Sequence, residues 1–236
     1  MTLVKFIYKV IFIQNYIMHN TVKNLIYIED FIKSKVNHES ADKLPKIIAV
    51  SKTFPLDSIV PLIEYGHLHY GENKVQEALD KWTEVKKKNI SIRLHLIGRL
   101  QTNKVKFALT IFDYIHSLDS EKLANKIASE QEKQGKRPKI FIQVNIGNED
   151  QKAGINKDKL DNFYNFCKKL NLNIIGTMCI PPNDENIENY FSEMRVINQR
   201  LNFKDLSMGM SGDYLSAIKN SATYVRIGSK IFGTRD

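Results

Sequence analysis

From residue 46 onward the chain alternates two hydrophobic periods. Short apolar and β-branched runs read as strands: KIIAVS (46–51), HLHY (67–70), RLHLIG (93–98), YIHS (114–117), KIFIQVNI (139–146), NIIGTM (173–178), DLSM (205–208) and YVRIG (224–228). Longer amphipathic stretches separate them. In ENIENYFSEMRVINQRL, residues Ile187, Tyr190, Phe191, Met194, Ile197 and Leu201 recur at spacings of three and four and define one helical face. SEKLANKIASEQEKQ predicts another helix, opened by Ser120 as its N-cap. A further helix, from about Thr21 to Val36, precedes the first strand.

Eight strand-like runs joined by helices, with short loops between them, imply parallel strands, and that repeat in a chain of 236 residues predicts a single (β/α)8 barrel. The extra N-terminal helix is expected to cover the barrel's bottom. A doubly wound open sheet competes, but no G-x-G-x-x-G follows the first strand. The predicted domains are an extension over residues 1–20 and the barrel over 21–236. Residues 1–17, MTLVKFIYKVIFIQNYI, are apolar and basic, but Lys5, Lys9, Gln14 and Asn15 interrupt them well short of a bilayer span. No small-residue cleavage site follows, and Met18 offers an alternative start. A loosely ordered extension or a start at Met18 is favoured over a membrane anchor.

Composition changes this picture little. Hydrophobic residues make up 42% and charged residues 26%, the balance of an ordinary globular domain. The net charge of +9 suits an anionic partner, but the basic runs KKK (86–88) and KQGKRPK (133–139) have no aromatic-rich RNA-binding motif beside them. Specific nucleic-acid binding is therefore not expected. The two cysteines, Cys167 and Cys179, lack a CxxC partner, which points to a reducing, cytoplasmic setting without disulfide or zinc. The six histidines form no HxxxH pair; His67 and His69 share a strand face but lack a third ligand, so no metal site is assigned.

The chemistry should lie at the C-terminal ends of the strands. Those ends are polar: Ser51-Lys52, Gly71-Glu72-Asn73, Gly98-Arg99 with Gln101 and Asn103, His116-Ser117, Asn145, Met178, Met208 to Ser211, and Arg226-Ile227-Gly228. The loops after strands seven and eight, with Gly209, Ser211, Gly212, Gly228 and Gly233, suit a phosphate held by backbone N–H groups. Lys52 continues the inward or rim-facing set of the first strand. A lysine partly removed from water there can form an imine. A lysine facing a phosphate cup fits two classes, a phosphosugar aldolase and a pyridoxal phosphate (PLP) protein.

AVSKTFP, YGENKVQEA, HLIGRLQTNK, IHSLDS, IQVNIGNEDQKAGI, LSMGMSGDYLSAI and VRIGSKIFGTR, in this order and spacing, resemble the YggS/PROSC family of PLP homeostasis proteins. The resemblance runs from about Thr21 to the C-terminus. It implies a single barrel similar to the N-terminal domain of bacterial alanine racemase, with PLP carried on Lys52 as a Schiff base. It also implies Asn73 beside the cofactor, Ser211 with the backbone at Gly228 and Ser229 on the phosphate, Arg226 near the pyridine nitrogen, and Met208 and Met210 lining the pocket. Lys152 matches a family lysine to which no role is assigned. Two positions depart from the pattern: Arg99 stands where many members have proline, and Ser221 where a glycine usually stands before VRIG.

The family implication is a PLP-binding regulator or carrier without established turnover, so no catalytic residue is assigned. Racemisation needs acid/base groups on both faces of the substrate carbon, and in alanine-racemase-like enzymes the second comes from an additional β-domain. The chain ends at Asp236, just after the eighth βα unit, so that domain is not expected. An arginine at the pyridine nitrogen would also weaken the electron sink. The alternatives are a PLP-dependent amino-acid racemase and a Schiff-base aldolase. Expected partners are PLP and apo-PLP enzymes as acceptors, with no membrane, and the chain is expected to be a monomer.

Overall fold

The computed structural model describes residues 18–36, 44–149 and 151–234. The expectations for residues 1–17, including the start at Met18 and the membrane anchor, lie outside the described residues. Helix α1 (Asn20–Lys35) leads to β1 (Lys46–Val50), α2 (Leu56–Tyr65), β2 (His69–Glu72), α3 (Val75–Lys88), β3 (Arg93–Leu96), α4 (Val105–Ile111) and β4 (Tyr114–Leu118). Then come α5 (Glu121–Gln134), β5 (Lys139–Gln143), α6 (Leu160–Lys169), β6 (Ile174–Met178), α7 (Ile187–Arg200), β7 (Asp205–Met210), α8 (Tyr214–Lys219), β8 (Tyr224–Ile227) and α9 (Ser229–Phe232). The strands form a closed barrel in sequence order, and β8 pairs in parallel with β1.

All eight expected strands are present, with shifted ends. HLHY begins pairing only at His69, because Gly66 turns left-handed at φ 98° and the His67 N–H caps α2 on the Leu62 carbonyl. The run after Lys139 leaves the ladder at Gln143, and Val144 keeps only an isolated bridge to Ile155. Ser120 caps α5 as expected, its side chain accepting from the Leu123 N–H.

Alternation along each strand divides the core. Ile47 and Ala49 join the layer between barrel and helices, whereas Ile48 packs with Tyr114, Phe141, Met178 and Tyr224 inside the barrel. Fully burying a large apolar side chain contributes about 1.5–3 kcal/mol, so the outer layer, which includes Trp82, Phe191 and Leu25, supplies most of the driving force.

The position of α1 corrects the sequence expectation. It stands beside the barrel, packed on α9 and α2, instead of lying beneath it. The physical reason is that α9 is only one turn long and cannot cover the outside of β8. The apolar stripe Leu25, Ile28 and Ile32 of α1 fills that gap, and Asn24 donates to the Ile231 carbonyl at 3.0 Å. Only the last turns of α1 reach the bottom, where Glu29, Ile32 and Lys33 border a cavity with Lys46, His67 and His69.

Candidate functional site at the barrel mouth

A cavity of about 800 Å³ opens at the C-terminal ends of the strands. One wall is the end of β1 and its loop. Ser51 is fully buried; its hydroxyl donates to Glu72 Oε1 at 2.8 Å and its N–H to the Gly71 carbonyl at 3.0 Å. Glu72 also accepts from Trp82 Nε1 at 3.0 Å and pairs with Lys81 Nζ at 3.1 Å, and Lys81 donates in turn to the Ser51 carbonyl at 2.9 Å. This buried network clamps the residue before Lys52. The residue after it, Thr53, sits in the left-handed region at φ 68°, with its N–H bonded to Glu77 Oε1 at 2.6 Å. Burial alone would raise the Glu77 carboxyl, but the Thr53 N–H and Lys81 hold it below its ordinary value. Lys52 is thus fixed on both sides, and it lines the cavity together with Val50.

Across β2 and β3, Asn73, Ile97 and Gly98 continue the wall. A Cβ at Gly98 would stand 2.4 Å from the Asn73 carbonyl oxygen, so only glycine allows the two loops to pack this closely. Asn73 Oδ1 is buried and has no hydrogen-bond partner among the described residues. The facing wall is Met210, Ser211, Gly212, Gly228 and Ser229, where Ser211 Oγ accepts from the Gly228 N–H at 3.2 Å. Arg226 forms part of the floor and is 4% exposed. Its guanidinium donates to Ser207 Oγ and to the Cys179 carbonyl, both at 2.9 Å. Among the described residues it makes no ion pair, and burial lowers its pKa, with Cys179 and Asp213 offsetting part of the shift.

The fold therefore brings together seven of the eight residues singled out in the sequence: Lys52, Asn73, Met210, Ser211, Arg226, Gly228 and Ser229. Met208 is the exception. Ser207 points into the barrel, so Met208 faces the helices and is fully buried in the outer core layer. Gly209 at φ 88° and a register shift between Ser207 and Met210 then turn Met210 toward the cavity.

Other strand-end residues go elsewhere. Asn103 lines a separate depression, the Asn145 side chain bonds the backbone of Glu149, and His116 points into the barrel. Lys152 pairs with Glu149 at 2.6 Å and does not line the cavity, and Arg99 is exposed. Sequence reasoning missed Phe54, Ile97, Ile180 and Thr234, which complete the lining. Phe54 stacks on Phe232 at 4.9 Å, a contact that only the closed ring creates. Both cysteines are free and buried, and burial pushes each thiol up to about 12, which makes them inert. Among the described residues no group of three or more potential ligands could hold a metal, and no helix is long and apolar enough to cross a membrane.

Residues 34–236 match the family model for the alanine racemase N-terminal domain. Curated relatives include a pyridoxal phosphate homeostasis protein of Aquifex aeolicus, 38% identical over 80% of this chain and 87% of that one. Another, of Pasteurella multocida, is 35% identical over 91% of this chain and 97% of that one. The chain belongs to the pyridoxal phosphate homeostasis protein family. Among solved structures, PipY of Synechococcus elongatus resembles this family member with a TM-score of 0.79 and 30% identity. The match covers 91% of this chain and 100% of PipY without PLP, and 90% and 100% of PipY with PLP bound. An alanine racemase of Clostridium difficile shares the fold at a TM-score of 0.67 and 14% identity, over 92% of this chain and 57% of the racemase.

Proposed function

We propose that this chain binds PLP in the mouth cavity, joined to Lys52 as a Schiff base, and serves intracellular PLP homeostasis without catalytic turnover. The observation that carries the reading is the placement of Lys52 in one cavity with a serine and glycine wall and a buried arginine. The residues fit the group. PLP needs an amine for its aldehyde, donors for its phosphate and a partner for its ring nitrogen. Lys52 supplies the first, Ser211 with the Gly228–Ser229 backbone the second, and Arg226 the third. Asn73 Oδ1, buried without a partner among the described residues, calls for a polar ligand beside it. The structure of PipY with PLP bound supports the same reading.

Bound PLP supplies an electrophilic aldehyde and an electron sink for carbanion chemistry. Arginine only donates hydrogen bonds and stays charged, so Arg226 favours an unprotonated ring nitrogen and weakens that sink. This favours holding over chemistry, with apo-PLP enzymes as acceptors, a cytoplasmic setting and a monomeric carrier. Racemisation is the reading it has to beat. Adding PLP to the purified protein, reducing with borohydride and mapping peptides is expected to place one adduct on Lys52. An adduct elsewhere, or none, would sink the proposal. Repeated loss of α-hydrogen from labelled amino acids would instead establish turnover.

A further inference from the structure

Inside the barrel lies a row of side chains that the mouth site does not absorb. Strands β2, β3 and β4 each point one histidine inward. His69 Nδ1 lies 2.9 Å from His95 Nε2, and His95 Nδ1 lies 2.9 Å from His116 Nε2. His116 Nδ1 is 2.9 Å from Ser207 Oγ, which in turn accepts from Arg226 at 2.9 Å. The strand stagger builds this row. His69 pairs with Arg93, two residues before His95, and His95 pairs with Tyr114, two before His116. Each ring therefore stands one inward step higher than the last. His95, His116 and Ser207 are fully buried, while His69 borders the cavity at the bottom.

The direction of the chain follows from its arginine end. Guanidinium has no acceptor, so Ser207 Oγ must accept from Arg226. Its own proton then needs an acceptor, and among the described residues the other partner of Ser207 Oγ is His116 Nδ1. His116 accordingly carries its proton on Nε2 and donates to His95 Nδ1. His95 likewise donates from Nε2 to His69 Nδ1. The reverse direction would aim two N–H groups at one hydroxyl and leave its proton buried without an acceptor.

We propose that Ser207, His116, His95 and His69 form a one-way hydrogen-bond chain that positions Arg226 and holds its charge at the cavity floor. The three rings are neutral, and each turns its lone-pair end toward the arginine. A row of aligned dipoles thereby supports a buried cation in place of a carboxylate. A carboxylate would cancel the charge, whereas neutral rings leave the guanidinium free to donate to a ligand at the cavity floor.

Burial lowers the pKa of His95 and His116, and Arg226 lowers that of His116 further. Around His69 stand His67, Lys46, Arg93 and Asp113, with Tyr114 and Tyr224 against its ring; Tyr114 also stacks on His95, and Phe141 on His116. The inference deepens the PLP reading and rests on it only for the identity of the ligand.

The test uses full-length protein labelled with 15N-histidine, without ligand, at pH 7. Long-range 1H–15N correlations are expected to show His69, His95 and His116 neutral with the proton on Nε2. Any of the three protonated on Nδ1, or on both nitrogens, overturns the chain. That measurement on the unaltered protein decides the matter even where a variant fails to fold. In Ser207→Ala, His116 and then His95 are expected to lose the single tautomer, and PLP affinity to fall about tenfold, the loss of one charge-assisted hydrogen bond. Ser207→Thr should restore both. Affinity unchanged within about twofold in a folded Ser207→Ala protein overturns the positioning role. If the unaltered protein fails to bind PLP while its tautomers match, the ligand assignment fails and the chain stands.

Discussion

Lys52 owes its position to residues that never reach the cavity. The Glu72 carboxylate, fully buried, holds Ser51, Trp82 and Lys81 together beneath it. Removing one member of a buried pair leaves a charge without compensation, which costs more than the pair itself contributes. Lys81→Met is therefore expected to lower unfolding stability by about 3–5 kcal/mol. Urea titration would read that loss, and a change below about 1 kcal/mol would show that the Lys81–Glu72 pair does not hold the strand end. Lys52 was legible in the sequence because it continues the inward set of Ile48 and Val50. Glu72 was visible only as a polar strand end. Its outward direction and its pairing with a lysine nine residues on depend on how α3 lies over β2.

At the scale of elements, strand count and order were legible throughout, because eight apolar runs alternating with amphipathic helices leave few arrangements. Strand ends were less so, since a cap or a bulge competes with the ladder at each. Met210 shows the cost: simple alternation puts it on the same outer face as Met208 and cannot anticipate the register shift at Gly209 that turns it toward the cavity. The histidine row was half-visible, as histidines in three consecutive predicted strands, but which of His67 and His69 joins it and how the rings align depend on a stagger that sequence does not display.

The turn between α8 and β8 holds a further element-scale effect. Ser221, at the position where the family resemblance led us to expect glycine, adopts φ 66°, a conformation that costs a residue with a side chain about 1 kcal/mol. It is exposed, so little packing offsets this. Ser221→Gly should raise the thermal midpoint by a few degrees, corresponding to about 1 kcal/mol. An unchanged or lower midpoint would mean that the added unfolded-state entropy of glycine outweighs the relief.

For the whole molecule, the histidines at the barrel's lower end set a pH limit. Burial lowers His67 from the usual 6.5 to about 4, and burial with the charges of His67, Lys46 and Arg93 does the same to His69. The unfolded chain takes up these protons near pH 6.5, whereas the folded one resists until about pH 4. Between those values the unfolded state binds more protons, so stability is full above the upper one and declines as pH falls. Each ring costs on the order of 3 kcal/mol over that window. Urea midpoints measured from pH 7 to 4.5 should fall steadily, and His67→Gln should flatten the slope. A midpoint independent of pH would contradict the assignment of these rings as neutral.

The seating of α1 against α9 has a consequence for synthesis. The hydrogen bond from Asn24 to Ile231 spans 207 residues, and the β1–β8 pairing spans nearly as many. A ribosome delivers α1 and β1 before β8 and α9, so that part of the apolar stripe of α1 must wait while the intervening barrel is made. Contacts this distant in sequence form slowly. Until β8 and α9 emerge, the face of α1 that packs on α9 stays uncovered, so closure of the ring waits for the far end of the barrel.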